Sequence, residues 1–167
     1  MVILHIKDMG DIVLEMDKKY AQNTVHNFTY LCHMGFYDGL TFHRVIQNFM
    51  IQGGDPQGTG IGGPGYSIKG EFSMNGIENP LRHKRGAISM ARTMDPDSAG
   101  SQFFLCDKDD FFLDGQYAVF GYVTKGMDVV DKIAAVKKDG NDKPLTPVVI
   151  EKAEVVDEEI VPPEKIR

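Results

Sequence analysis

Tryptophan is absent from the chain, and cysteine occurs only twice, at Cys32 and Cys106. Two thiols so far apart, in no metal-like spacing, make neither a disulfide framework nor a zinc site. The first residues, Met-Val-Ile-Leu-His-Ile-Lys, lack the basic start, long apolar segment and small-residue cleavage site of a signal peptide. The expectation is therefore free thiols in a reducing, cytoplasmic setting. No apolar run approaches the ~20 residues that cross a bilayer, so no membrane role is expected. Long basic blocks are missing too. Lys and Arg number 18 against 24 Asp and Glu, a formal net charge of −6, and residues 151–167 hold six acids and three bases. An acidic chain of this kind is a poor nucleic-acid binder. Its one basic cluster, Arg82-His83-Lys84-Arg85, reads as a solvated turn.

Several catalytic signatures are missing as well. There is no G-x-S-x-G elbow, no H-E-x-x-H pair and no P-loop lysine. The five histidines (His5, His26, His33, His43 and His83) show no ligand spacing, and each reads as structural. Gly58-Thr59-Gly60-Ile61-Gly62-Gly63 fits a G-x-G-x-x-G string, but Pro64-Gly65-Tyr66 follows where a phosphate-binding helix would have to start. It reads as a folded glycine loop over a binding face. The loop at Asp95, Asp97 and Gly100 has Cys106 where a calcium loop needs glutamate, so calcium is rejected. No metal or cofactor is expected, and hydrolysis and phosphoryl transfer are disfavoured.

What is present is an ordinary globular composition, 42% hydrophobic and 25% charged, over 167 residues. That suits one domain with a real core, here placed at 1–157, and an acidic, Pro-containing tail at 158–167. Alternation of Val2, Leu4, Ile6 and of Ile12, Leu14, Met16 around Asp8-Met9-Gly10 predicts an opening hairpin. Ala21, Val25, Phe28 and Cys32 share one helical face, with Asn23 or Thr24 as the cap region and Gly35 as the stop. Further strands are predicted at 41–46, 49–52, 86–92, 101–105, 117–123 and 148–156. A short second helix is predicted around Met127, Val130, Ile133 and Ala134. Pro162-Pro163 should end regular structure, with the last residues frayed. Many short strands and two helices predict a mainly β, closed antiparallel barrel, since closure removes edge strands.

The chain is organised around residues 42–55, Phe-His-Arg-Val-Ile-Gln-Asn-Phe-Met-Ile-Gln-Gly-Gly-Asp. Arg44 is one permanent cation among large apolar side chains. Strand alternation places it on the face of Phe42 and Ile46, with His43 opposite, and puts Met50 on the face of Gln52. A guanidinium there is costly to bury alone. It is either a salt-bridged Arg at a barrel rim or a fixed donor aimed into an apolar pocket.

Four motifs in one consistent order tip that choice: "FHRVIQNFMIQGGD", "GAISMAR", "SAGSQFF" and "FLDGQYAVFG". Together, from about Val2 to Val156, they resemble the cyclophilin family of peptidyl-prolyl isomerases. The resemblance implies eight strands capped by two helices and catalysis of rotation about X-Pro bonds, which assists protein folding in a chaperone-like way. It implies Arg44 as the catalytic arginine and Gln52 as the amide that supports it. It implies Phe49, Met50, Phe104 and Leu113 as walls of the proline pocket. Ala91, Arg92 and Gln102 match the segment beside the residue before proline. Arg92 stands where eukaryotic members commonly carry asparagine, and a backbone contact is expected there. Phe112 and Tyr117 stand where many members carry tryptophan and histidine, a pattern like that of short bacterial members. The partners implied are Pro-containing peptides and unfolded proteins, and cyclosporin with binding weakened at Phe112. A monomer is expected. A binding module using the same groove without turnover, and a barrel for some small apolar ligand, are the other readings; the matched Arg44, Phe49, Met50, Gln52 and Phe104 favour the enzyme.

Overall fold

The computed structural model describes residues 1–166. Eight antiparallel strands form one curled sheet: β1 (Val2–Ile6), β2 (Gly10–Met16), β3 (Arg44–Ile46), β4 (Met50–Gly53), β5 (Ala87–Met90), β6 (Phe103–Cys106), β7 (Val119–Lys125) and β8 (Ile150–Val155). Their order across the sheet is β3-β4-β6-β5-β7-β2-β1-β8. Two helices, α1 (Gln22–His33) and α2 (Met127–Ala134), accompany it. The opening hairpin pairs Val2 with Leu14 and Ile6 with Gly10, as the alternation predicts.

Period-two alternation serves two apolar layers rather than one. Val45, Ile51, Ile88, Phe103, Leu105 and Phe120 point inward to the main core, where Phe28 of α1 sits with its ring 5.2–5.4 Å from Tyr37, Phe103 and Phe120. Each such side chain buried contributes about 1.5–3 kcal/mol. The alternate residues Met50, Ala87, Phe104, Cys106 and Val119 point outward into a second buried cluster. Strands β5 and β6 are therefore buried along their whole length. That second layer is the floor on which the candidate site is built.

The expectation of a closed barrel is not met. Strands β3 and β8 are the ends of the sheet, and no ladder joins them. The chain just before β3 comes closest: Thr41 makes an isolated bridge with Val149, Phe42 N–H bonds to the Val148 carbonyl at 3.0 Å, and Leu40 carbonyl accepts from Ile150 at 2.8 Å. Pro144 and Pro147 stand in the facing segment, and proline has no N–H to give a ladder. Strand β3 is three residues long, paired with β4 alone, and its outer edge is met by single contacts. Val45 N–H bonds to the Asp142 carbonyl, and Lys138 Nζ donates to the Val45 carbonyl at 2.9 Å. On β8, Ala153 N–H bonds to Asp38 Oδ1 at 3.0 Å.

Three other expectations change. Helix α1 has Ala21 at its N-cap without a side-chain bond. Its orphan donors are met by Glu71, distant in sequence, whose Oε1 accepts Thr24 N–H and Thr24 Oγ–H at 2.6 Å each. The helix does stop before Gly35, which takes the left-handed φ of +77°. Phe42 does not share the face of Arg44: the strand begins only at Arg44, and Phe42 is fully buried in the main core. The tail is not frayed either. Asn23 Oδ1 accepts Glu164 N–H at 2.8 Å, Asn23 Nδ2 donates to the Glu164 carbonyl at 3.0 Å, and Ile166 N–H bonds to Ser67 O at 2.8 Å. Lys165 lies 4.3 Å over the Tyr66 ring. Arg167 lies outside the described residues.

Candidate active site

The turn between β3 and β4 sets the site. Asn48 takes φ +64°, a conformation asparagine tolerates, and its N–H bonds to Asp107 Oδ2 at 2.8 Å. That turn delivers Phe49 and Met50 to the outer layer. The register then pairs Arg44 with Gln52 across β3–β4, and Gln52 with Phe104 across β4–β6. Arg44, Gln52 and Phe104 therefore lie in one row across three strands, on the outward face.

A pocket of about 200 Å³ opens over this row, lined by Arg44, Phe49, Met50, Gln52, Ala91, Arg92, Phe104, Leu113 and Tyr117. Met50 and Phe104 form its buried floor, 2% and 5% exposed. Leu113 comes from a 3-10 turn at Phe111–Leu113. Tyr117 meets Phe104 edge-on at 5.8 Å. Gln102 adjoins the pocket, receiving Gln52 Nε2 on its Oε1 at 2.9 Å, and lines a second cleft with Tyr66, Ala91 and Arg92. Phe112 lies outside the lining: it is 66% exposed and stacks on Phe49 at 5.8 Å.

Arg44 is exposed, and its one hydrogen bond among the described residues runs to Gln52 Oε1 at 3.5 Å, the long end of the range. No carboxylate pairs with it there, so the salt-bridged-rim alternative does not describe it. The Arg92 side chain is held by the chain around it. Its Nε and Nη2 donate to the Gln116 carbonyl at 3.0 and 2.6 Å, its Nη1 donates to Thr93 O, and it lies over the rings of Phe72 and Tyr117 at 4.8 and 4.6 Å. It is a fixed brace for the pocket rim.

His83 is the residue that sequence reasoning missed. The 82–84 stretch is irregular and leads into a turn at Arg85-Gly86, with Arg82, Lys84 and Arg85 exposed, but His83 is 0% exposed and stacks on Phe104 at 5.9 Å, directly behind the pocket floor. Asp114 Oδ1 lies 2.9 Å from Nδ1 and Ser89 Oγ 2.9 Å from Nε2. A carboxylate accepts, so Nδ1 carries the proton and the Ser89 hydroxyl donates to Nε2. Burial pushes the imidazole below its ordinary value, more than Asp114 raises it, which keeps it neutral. His43, opposite Arg44, is also buried and lowered by burial. A buried aromatic partner invisible in the local sequence, Phe104, is what turns a basic-looking tetrapeptide into part of the site.

Among the described residues no group of three or more His, Cys, Asp and Glu side chains is arranged to hold a metal. No helix there is long and apolar enough to cross a membrane.

An antiparallel half-barrel with two helices and an arginine over an apolar pocket defines the class. Residues 1–155 match the family described as cyclophilin type peptidyl-prolyl cis-trans isomerase/CLD, and the chain belongs to that family. Among curated relatives, a peptidyl-prolyl cis-trans isomerase of Helicobacter pylori is 52% identical over 126 residues, 74% of each chain. A peptidyl-prolyl cis-trans isomerase-like 1 of Gibberella zeae is 42% identical over 151 residues, 90% of this chain and 92% of that one. The crystal structure of a Cryptosporidium parvum cyclophilin type isomerase, determined in the presence of the dipeptide Ala-Pro, superposes with a TM-score of 0.86 at 30% identity, covering 94% of this chain and 99% of that one. The activity is peptidyl-prolyl cis-trans isomerisation.

Proposed function

We propose that Phe49, Met50, Phe104 and Leu113 hold the proline ring of the substrate while Arg44 donates to its amide nitrogen. The observation that carries this is the placement of an exposed, weakly bonded guanidinium beside an apolar floor. Rotation about an X-Pro bond is opposed by ~18–20 kcal/mol of lost conjugation. As the amide twists, its nitrogen becomes pyramidal and gains a lone pair. A donor aimed there stabilises the twisted state more than the planar one, and that difference is catalysis. Arginine suits the task because it stays charged and its fork is rigid. Gln52 steadies the guanidinium, and Ala91, Arg92 and Gln102 border the residue before proline. Tyr117 completes the rim, and Phe112 flanks it from outside, stacked on Phe49.

The substrates are Pro-containing peptides and unfolded proteins, a reading supported by the relative crystallised with Ala-Pro. Cyclosporin binds weakly, for want of an indole N–H at Phe112. The protein acts as a monomer in the reducing cytoplasm, consistent with its two buried free thiols.

The test is cis/trans exchange on an Ala-Pro peptide, followed by NMR between pH 6 and 9. Arg44→Ala should lose on the order of 10²–10³ in kcat/KM, the effect of removing one transition-state donor, with peptide binding much less affected. Arg44→Lys should rescue poorly. The parent rate should be nearly flat with pH, since no proton moves and the nearby His43 and His83 are held neutral by burial. A steep change near pH 6–7, or full activity in Arg44→Ala, would refute the mechanism and favour a binding module.

A further inference from the structure

The groups that end on Arg44 form a hydrogen-bonded line with a single direction. The Gly62 carbonyl can only accept, so Gln102 must turn its Nε2 toward it, at 2.9 Å. That leaves Gln102 Oε1 for Gln52 Nε2, also at 2.9 Å. Gln52 can then present only its Oε1 to Arg44 Nη1, at 3.5 Å. Reversing either amide would set donor against donor or acceptor against acceptor.

The far end of the line is anchored on a buried carboxylate. Asp55 is 2% exposed. Its oxygens accept the N–H groups of Gln57 at 2.8 Å, Thr59 at 2.9 Å, and Gly60. The Gly62 backbone packs so closely on it that a Cβ there would lie 2.0 Å from Asp55 Oδ1. Burial pushes the Asp55 carboxyl up, but the N–H groups of Gln57, Gly60, Gly62 and Thr59 outweigh that and hold it below the ordinary carboxylate value. It stays ionised and keeps all its acceptor positions.

We infer that Asp55, which does not line the proline pocket, is a positioning residue for Arg44: it fixes the 57–62 loop, whose Gly62 carbonyl sets the orientation of Gln102, then Gln52, then the guanidinium. The inference rests on Arg44 being the donor. Because Arg44 is exposed and its one bond is long, little else holds its direction, and small misplacements of a reacting group cost rate steeply.

The experiment compares Asp55→Asn and Gln102→Met with the parent, each alone and in the Arg44→Ala background. An amide at position 55 offers one acceptor oxygen and turns an N–H toward the loop donors. The methionine at position 102 removes the link while filling the space. Each variant should lower kcat for a capped Ala-Pro peptide about tenfold and shift or broaden the Arg44 Nε–H resonance, and Asp55→Asn, away from the pocket, should leave the dissociation constant within about twofold. In the Arg44→Ala background neither should cost anything further. Full kcat in both variants, or the same fold-loss with and without Arg44, would overturn the inference while leaving Arg44 as the donor. If Asp55→Asn fails to fold, Gln102→Met decides alone. Full activity in Arg44→Ala itself would instead remove the donor reading on which the inference stands.

Discussion

Replacing Asp110 by asparagine should stabilise the protein at neutral pH. Asp110 precedes the 3-10 turn that carries Leu113, and it is 3% exposed with no hydrogen-bond partner at Oδ2. Burial, followed by the charges of Asp107 and Asp109, pushes its carboxyl up to about 6 from 3.8, although the Cys106 thiol pulls the other way. The folded state therefore binds the proton more tightly than the unfolded state. Below about pH 4 both states are protonated and the residue costs nothing. Between there and about pH 6 the folded state holds the extra proton, so stability falls as pH rises. Above about pH 7 the full penalty is present, about 3 kcal/mol for a change of that size. An amide removes the charge but leaves a buried N–H group to satisfy, which returns about 1–3 kcal/mol. The net gain should be about 0–2 kcal/mol at pH 7.5, or a Tm rise of at most about 8 °C for a domain of this size. Urea unfolding of parent and Asp110→Asn at pH 4, 5, 6, 7 and 8 isolates the effect, since groups common to both cancel in the difference. The advantage of the variant should grow by about 3 kcal/mol from pH 4 to 8. A difference that stays constant with pH would refute the reasoning.

Glu71→Ala should lower stability by about 1–2 kcal/mol, the scale of a lost helix cap, because it strips both acceptor bonds from Thr24; unchanged urea unfolding would show that α1 does not depend on it. Phe112→Trp should tighten cyclosporin inhibition by about one to two decades through one regained donor. The exposed, Phe49-stacked position leaves room for the larger ring, and an unchanged inhibition constant would dismiss this account. Cys32 and Cys106, buried and with thiols pushed up chiefly by burial, should react slowly in native protein and give two equivalents once unfolded. Rapid native labelling would place at least one of them elsewhere.

Local periodicity carried most of the elements. The opening hairpin and the Val25–Phe28–Cys32 face are where alternation and helical spacing put them, because each buries one apolar face against a common core. The features that escaped depend on partners remote in the chain. Helix α1 is capped by Glu71, not by the Asn23 or Thr24 that a local rule selects. Asn23 instead holds the C-terminal segment through Glu164, which Pro162-Pro163 alone made look unstructured. His83 looked solvated because its neighbours are basic, and only the fold brings Phe104 onto its ring. In the site, the motifs identified the residues that line the pocket, with Gln102 beside it and Phe112 outside. They could not show that Arg92 is braced by the Gln116 carbonyl, because that contact needs the turn after Leu113 to come back over the rim.

The unjoined ends of the sheet have a bearing on what the protein does. An isomerase that acts on extended Pro-containing peptide meets segments able to add themselves as an extra strand. Strands β3 and β8 are the places where that could happen. Several of their outward-facing backbone groups are already taken: both of Val45, by the Asp142 carbonyl and the Lys138 ammonium, both of Ile150, by Leu40 and Gly39, and the Ala153 N–H, by the Asp38 carboxylate. None of these contacts is a template that a client segment could extend. On the proposed reading of the pocket, a Pro-containing peptide would then meet the protein through side chains on the outer face rather than by pairing along a sheet edge, where contact would be cumulative and hard to reverse.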